Sequence, residues 1–113
     1  MTHDVPVAAR ATIREIDGSF SLTFPCGDLP ADDAVVAADH EPNGYFWEGV
    51  AQYLAPDLAA VVEFDSEGSL FCARGDRGPL ARLQQVLEPY LSDPDRVTQV
   101  IRDATAAGFE FDD

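Results

Sequence analysis

The fourteen residues ATIREIDGSFSLTF, positions 11–24, decide how the rest of the chain is read. Phe20, Leu22 and Phe24 alternate with Ser19, Ser21 and Thr23. A period of two places the aromatic and aliphatic side chains on one face and the hydroxyls on the other, so this is a half-buried strand. Before it, Ala11, Ile13 and Glu15 alternate less cleanly with Thr12, Arg14 and Ile16. Asp17-Gly18 lies between the two runs, and both residues tolerate the positive φ that a two-residue hairpin turn demands. Residues 11–24 therefore predict an antiparallel hairpin, which Pro25 terminates.

Downstream, Cys26 to Asp33 reads as a loop, and Ala34 to Ala38 as a short apolar run assigned to strand. After the turn residues 39–44 the periodicity changes. Phe46, Val50, Tyr53 and Leu54 recur at helical spacing, with Trp47 and Ala51 alongside. Asn43 suits the N-cap and Pro56 the stop. Phe46 and Trp47 are then core anchors. Tyr45, Glu48, Gly49 and Gln52 fall on the opposite arc, where Gly49 would let another backbone approach. A glycine inside a helix costs about 1 kcal/mol relative to alanine, so it asks for a contact reason.

Residues 58–64 and 70–74 predict two further strands joined by the 65–68 loop. Pro79 suits a first helical turn. Leu80, Leu83, Leu87, Tyr90 and Leu91 form an apolar stripe from which Arg82, Gln84, Gln85 and Glu88 point away. Pro89 predicts a kink or an irregular last turn. Asp93-Pro94 opens another helix, with Val97, Val100, Ile101 and Ala104 on its apolar face and Gly108 after its end. The tail, residues 109–113, alternates and predicts a last strand. Hairpins without a βαβ repeat give an α+β fold: a mostly antiparallel sheet with about three helices packed on one face. Residues 1–113 read as a single domain behind a flexible lead-in, 1–9. A chain of 113 residues can bury roughly two-thirds of its unfolded surface.

Composition narrows the function. There are 21 acidic and 7 basic residues, the latter all arginine, for a formal net charge of −14. Such a surface repels nucleic acid and anionic membranes and attracts a basic partner. Cys26 and Cys72 belong to no metal-ligand pattern, the N-terminus has no apolar signal segment, and no apolar run approaches the roughly 20 residues that span a bilayer. These features predict a cytoplasmic protein without cofactor.

Catalytic constellations are sparse. His40 stands between Asp39 and Glu41, but adjacent side chains rarely aim at one point, so no metal site is expected. A hydrolase using Cys26 or a carboxylate with His40 is the alternative function, although neither cysteine sits in a recognisable nucleophile motif. Paired carboxylates carry no information in so acidic a chain. A third reading is a subunit that dimerises through an exposed sheet edge.

The segments HEPNGYFWEGVAQYL (40–54), SEGSLFCARGD (66–76) and GFEFDD (108–113) together resemble the immunity protein 51 family of bacterial polymorphic toxin systems. NGYFWEG is the most specific part, and the resemblance runs from about residue 20 to the end. It implies a small α+β protein that binds a cognate toxin domain and blocks it without catalysis. No catalytic residue carries over. The partner expected is a basic toxin domain, met by a monomer or homodimer. The contact residues expected are Tyr45, Glu48 and Gln52 on the aromatic helix, Asp65 and Glu67 on the loop, and Glu110, Asp112 and Asp113 on the tail.

Overall fold

The computed structural model describes residues 10–111, so the expected lead-in at 1–9 and the tail carboxylates Asp112 and Asp113 lie outside the described residues. In chain order the elements are β1 (Thr12–Ile16), β2 (Ser19–Pro25), α1 (Asp32–Ala37), α2 (Gly44–Leu54), α3 (Pro56–Ala59), β3 (Glu63–Phe64), β4 (Leu70–Gly75), α4 (Arg77–Leu91) and α5 (Pro94–Ala106). The fold is α+β, as the hairpin pattern predicts.

β1 and β2 form the expected hairpin, with Ile13 opposite Leu22 and Ile16 opposite Ser19. Asp17 and Gly18 close it with φ of 53° and 82°. Two positive φ values in a two-residue loop turn the chain with the hand that strand twist requires. β2 then pairs antiparallel with β4, Leu22 facing Ala73 and Phe24 facing Phe71, and the sheet order is β1-β2-β4-β3. The alternation read from β2 sets the whole sheet. Leu22, Phe24, Phe71 and Ala73 are buried on one face under the helices, while Arg14, Ser21, Arg74 and Glu63 share a row across the other.

Aromatic packing joins sheet to helix. Phe24 stacks on Phe71 at 4.6 Å between ring centroids and meets Trp47 edge-on at 5.7 Å. Such offset and edge-to-face pairs add about 0.5–1.5 kcal/mol beyond their burial. Phe46 and Trp47 are wholly buried, as their spacing predicts. Leu80, Leu83, Leu87 and Leu91 carry the α4 stripe into the same core, and Val97, Val100, Ile101 and Ala104 bury the inner face of α5. Asp93 caps α5 through its side chain, accepting from the Asp95 and Arg96 amides, with Pro94 at the first position.

Three expectations fail. Residues 34–38 are not a strand: α1 covers Asp32–Ala37, with two aspartates in its first turn. Of the two valines only Val35 is buried, and the Ala34 and Val35 amides both donate back to the Ala31 carbonyl, the local bonding of a helical turn. Asp32 Oδ2 accepts from the Leu29 amide at 3.1 Å and ties the preceding turn. Residues 58–64 are not one strand either. Pro56 ends α2 but also opens α3 as its first residue, where its missing N–H costs nothing, and only Glu63–Phe64 reach the sheet. The tail does not add a strand over residues 109–111. Its rings pack on α2 instead. Among the described residues the helices number five, against about three expected, and α1 and α3 are short.

Gln84 and Glu88 also depart from expectation. They do not point away: Gln84 Nε2 donates to the Ala11 carbonyl at 2.6 Å, and Glu88 accepts from the Arg10 and Ala11 amides. The start of β1 is thereby pinned to α4. Pro89 lies inside α4, which runs on to Leu91.

Candidate partner-binding surface

The segment HEPNGYFWEG (40–49) is where three distant parts of the chain meet. Asn43 caps α2, its side-chain oxygen accepting from the Phe46 amide at 2.9 Å. Immediately beyond it, the Gly44 amide donates to the Gly68 carbonyl at 3.3 Å. A Cβ at position 44 would collide with the carbonyl oxygens of Glu67 and Leu70 and with Cβ of Ser66. The turn between β3 and β4 thus sits directly on the first turn of α2, and only glycine lets it do so.

One turn later, Glu48 holds the same loop. Its Oε2 accepts from the Ser66 amide at 3.2 Å. Ser66 in turn braces β4: its hydroxyl accepts from the Cys72 amide at 3.0 Å, and the Asp65 amide donates to the Cys72 carbonyl at 2.9 Å. Glu48 is a half-buried strut of the loop as well as a member of the exposed arc.

Gly49 is covered by the tail. Phe111 stacks on Phe46 at 5.0 Å between centroids and meets His40 edge-on at 5.0 Å. Phe109 packs against both Phe111 and Tyr53. The close approach that Gly49 was expected to allow is made by this ring of the chain itself. Gly108 supplies the sharp exit from α5 with φ of 81°, sending the tail back along α2.

Loop and tail thus occupy positions 48 and 49 of the arc and leave Tyr45 and Gln52 outward. Tyr45 keeps 43% of its surface exposed, and Gln52, Glu67 and Glu110 are exposed as well. Asp65 is exposed too, but its carboxylate pairs with Arg74 at 2.9 Å on the open sheet face. Six expected contact residues are therefore described, on three segments assembled about α2. The Gly44–Gly68 and Glu48–Ser66 hydrogen bonds hold the loop, and the rings of Phe109 and Phe111 hold the tail.

The residues of the hydrolytic alternative have different surroundings. The Cys26 thiol lies 3.9 Å from the Phe24 carbonyl, and its amide donates to the Ser69 carbonyl. Burial pushes it up to about 12; a hydrogen bond from the Phe71 backbone opposes this, and the Asp32 charge adds to it. At neutral pH it is a thiol, the weak form of the nucleophile. His40 packs its ring on Phe46 and Phe111. Cys72 is buried, and burial also raises its thiol, with Arg74 pulling the other way. Among the described residues no group of three or more His, Cys, Asp or Glu is placed to hold a metal ion, and no helix is long and apolar enough to cross a membrane.

Sequence reasoning missed one surface feature. Ile16 and Val61 are 65% and 61% exposed and line a common groove on the open side of the sheet. Its only signal in the sequence is the imperfect alternation of β1, which sets Ile16 among the outward residues Thr12 and Arg14. Comparison of the chain with protein-family models, curated proteins and solved structures gave no match.

Proposed function

We propose that this protein is a non-catalytic inhibitor that binds a basic toxin domain and occludes it, as the resemblance to the immunity protein 51 family implies. The observation that carries the reading is the α2 surface. A loop and a tail are fastened to one helix and display a tyrosine, an amide and carboxylates, on a chain with a net charge of −14. Tyrosine offers a large, stiff contact with one polar end, the type of anchor that dominates interfaces. The surrounding carboxylates steer a cationic partner into encounter and fix its orientation. A toxin that acts on an anionic substrate presents such a cationic groove, and the acidic face would fill it in place of the substrate. The same charge disfavours nucleic acid and anionic lipid as partners.

The test is binding to any toxin domain encoded beside this gene, followed by stopped-flow association kinetics over a range of salt. The expected result is a one-to-one complex whose association rate falls steeply as salt rises, with toxin activity lost in the complex. Tyr45→Ala should weaken it by more than about tenfold while leaving the fold intact. No complex with any neighbouring toxin domain would end the reading. Association that ignores salt would remove its electrostatic part.

A further inference from the structure

The groove on the open side of the sheet is separate from the α2 surface. It has a volume of about 910 Å³ and is walled on one side by the β1–β2 turn and on the other by residues 60–63. Ser19 and Ser21, with small side chains, lie on its floor, and Val61 and Val62 close over Gly75 at its edge. Ile16 and Val61 line it, two of the four large apolar side chains exposed among the described residues. Single exposed aliphatic residues are ordinary, and here the fold brings two of them, from positions 16 and 61, to one concave site.

The charges around it select the occupant. Asp17, Glu63 and Asp76 line the groove together with Arg74. Arg74 is already engaged by Asp65 at 2.9 Å. Arg14 follows in the same cross-strand row, opposite Ser21. Three carboxylates thus line the groove against one guanidinium, itself paired with Asp65. A second copy of this chain would bring a further −14 to the same place and be repelled.

We propose that this groove is a docking site for an extended, basic segment of a partner protein, one that alternates cationic with aliphatic side chains. The aliphatic groups cover Ile16 and Val61, and the cationic groups reach Asp17, Glu63 and Asp76. Such a segment reads the groove by its alternate side chains, as extended peptides do on sheet surfaces. The proposal does not depend on the toxin reading, because it concerns a different face and any partner with this chemistry.

The experiment is an amide NMR titration of the whole protein with a synthetic peptide of alternating arginine and leucine. An equal-length peptide of alternating glutamate and leucine serves as comparison, at physiological salt. The expected result is shifts confined to the amides of residues 16–21, 60–63 and 74–76 with the basic peptide only. The double variant Ile16→Ser, Val61→Ser should weaken binding roughly tenfold or more, whereas Val36→Ser, an exposed apolar residue elsewhere, should not. Both changes are at exposed side chains, so an unchanged amide spectrum in the free variant certifies the fold. Shifts scattered over the acidic surface, equal binding of the acidic peptide, or concentration-dependent shifts of the groove amides with no peptide would each overturn the proposal, the last by showing a second copy as the occupant.

Discussion

Gly49 lies directly under the ring of Phe111: a Cβ on residue 49 would come within 2.7 Å of Phe111 Cδ1. This pair explains why a helix that forms the centre of the molecule tolerates a glycine in its middle. The lost helix propensity is exchanged for a seat on which the tail docks.

A double-mutant cycle exposes that exchange. Gly49→Ala alone should free the tail, seen as loss of contacts between Phe111 and Phe46 in NMR, and should change stability by less than about 1 kcal/mol because propensity and displacement oppose each other. In a Phe111→Ala background the clash is gone. There Gly49→Ala should stabilise by up to about 1 kcal/mol. The sign of the effect, read from urea midpoints, is what reports the contact.

Gly44→Ala should behave otherwise. The atoms it would strike include the carbonyl oxygens of Glu67 and Leu70, which belong to backbone and cannot swing aside. Overpacking of this kind costs about 1–3 kcal/mol. Urea denaturation should show a loss in that range, with no rescue by truncating any side chain.

Asn43 caps the first turn of α2 through its bond to the Phe46 amide. Asn43→Ala should cost about 0.5–2 kcal/mol, and Asn43→Asp or Asn43→Ser should recover most of it. Thermal melts of the three variants check this.

The Cys26 thiol gives an alkaline dependence with a definite sign. It titrates at about 12 when folded, against an ordinary value of 9.0. Below pH 9 both folded and unfolded chains hold the proton, and stability is unaffected. Above it the unfolded chain ionises first, so stability falls as pH rises from about 9 towards about 12. Denaturant midpoints measured across this range should decline in the parent protein and decline less in Cys26→Ala. Cys72, also raised by burial, contributes in the same direction. The native thiols should resist alkylation at neutral pH.

Glu48 separates structure from binding. Glu48→Ala removes the acceptor for the half-buried Ser66 amide and should cost about 1–3 kcal/mol in stability. Glu110→Gln, at an exposed position, should leave the melting temperature unchanged while lowering the association rate with a basic partner at low salt.

The sequence by itself determined the hairpin, the core faces of α2, α4 and α5, and the two side-chain caps at Asn43 and Asp93. These depend on period and on neighbours a few residues away, so local chemistry suffices. It misread residues 34–38 and 58–64, because short apolar runs carry no period of their own, and residues 109–111, whose alternation is too short to mean a strand. Which surface covers them decides their form. α1, a turn and a half of helix laid beside α5, turns Val35 inward and Val36 outward. Only the tertiary structure decided that Glu48 would hold Ser66, that Phe111 would cover Gly49, and that Ile16 and Val61 would line one groove. Each of these joins residues far apart in the chain, and their meeting is a consequence of how the sheet and helices close on a shared core rather than of any pattern within a segment.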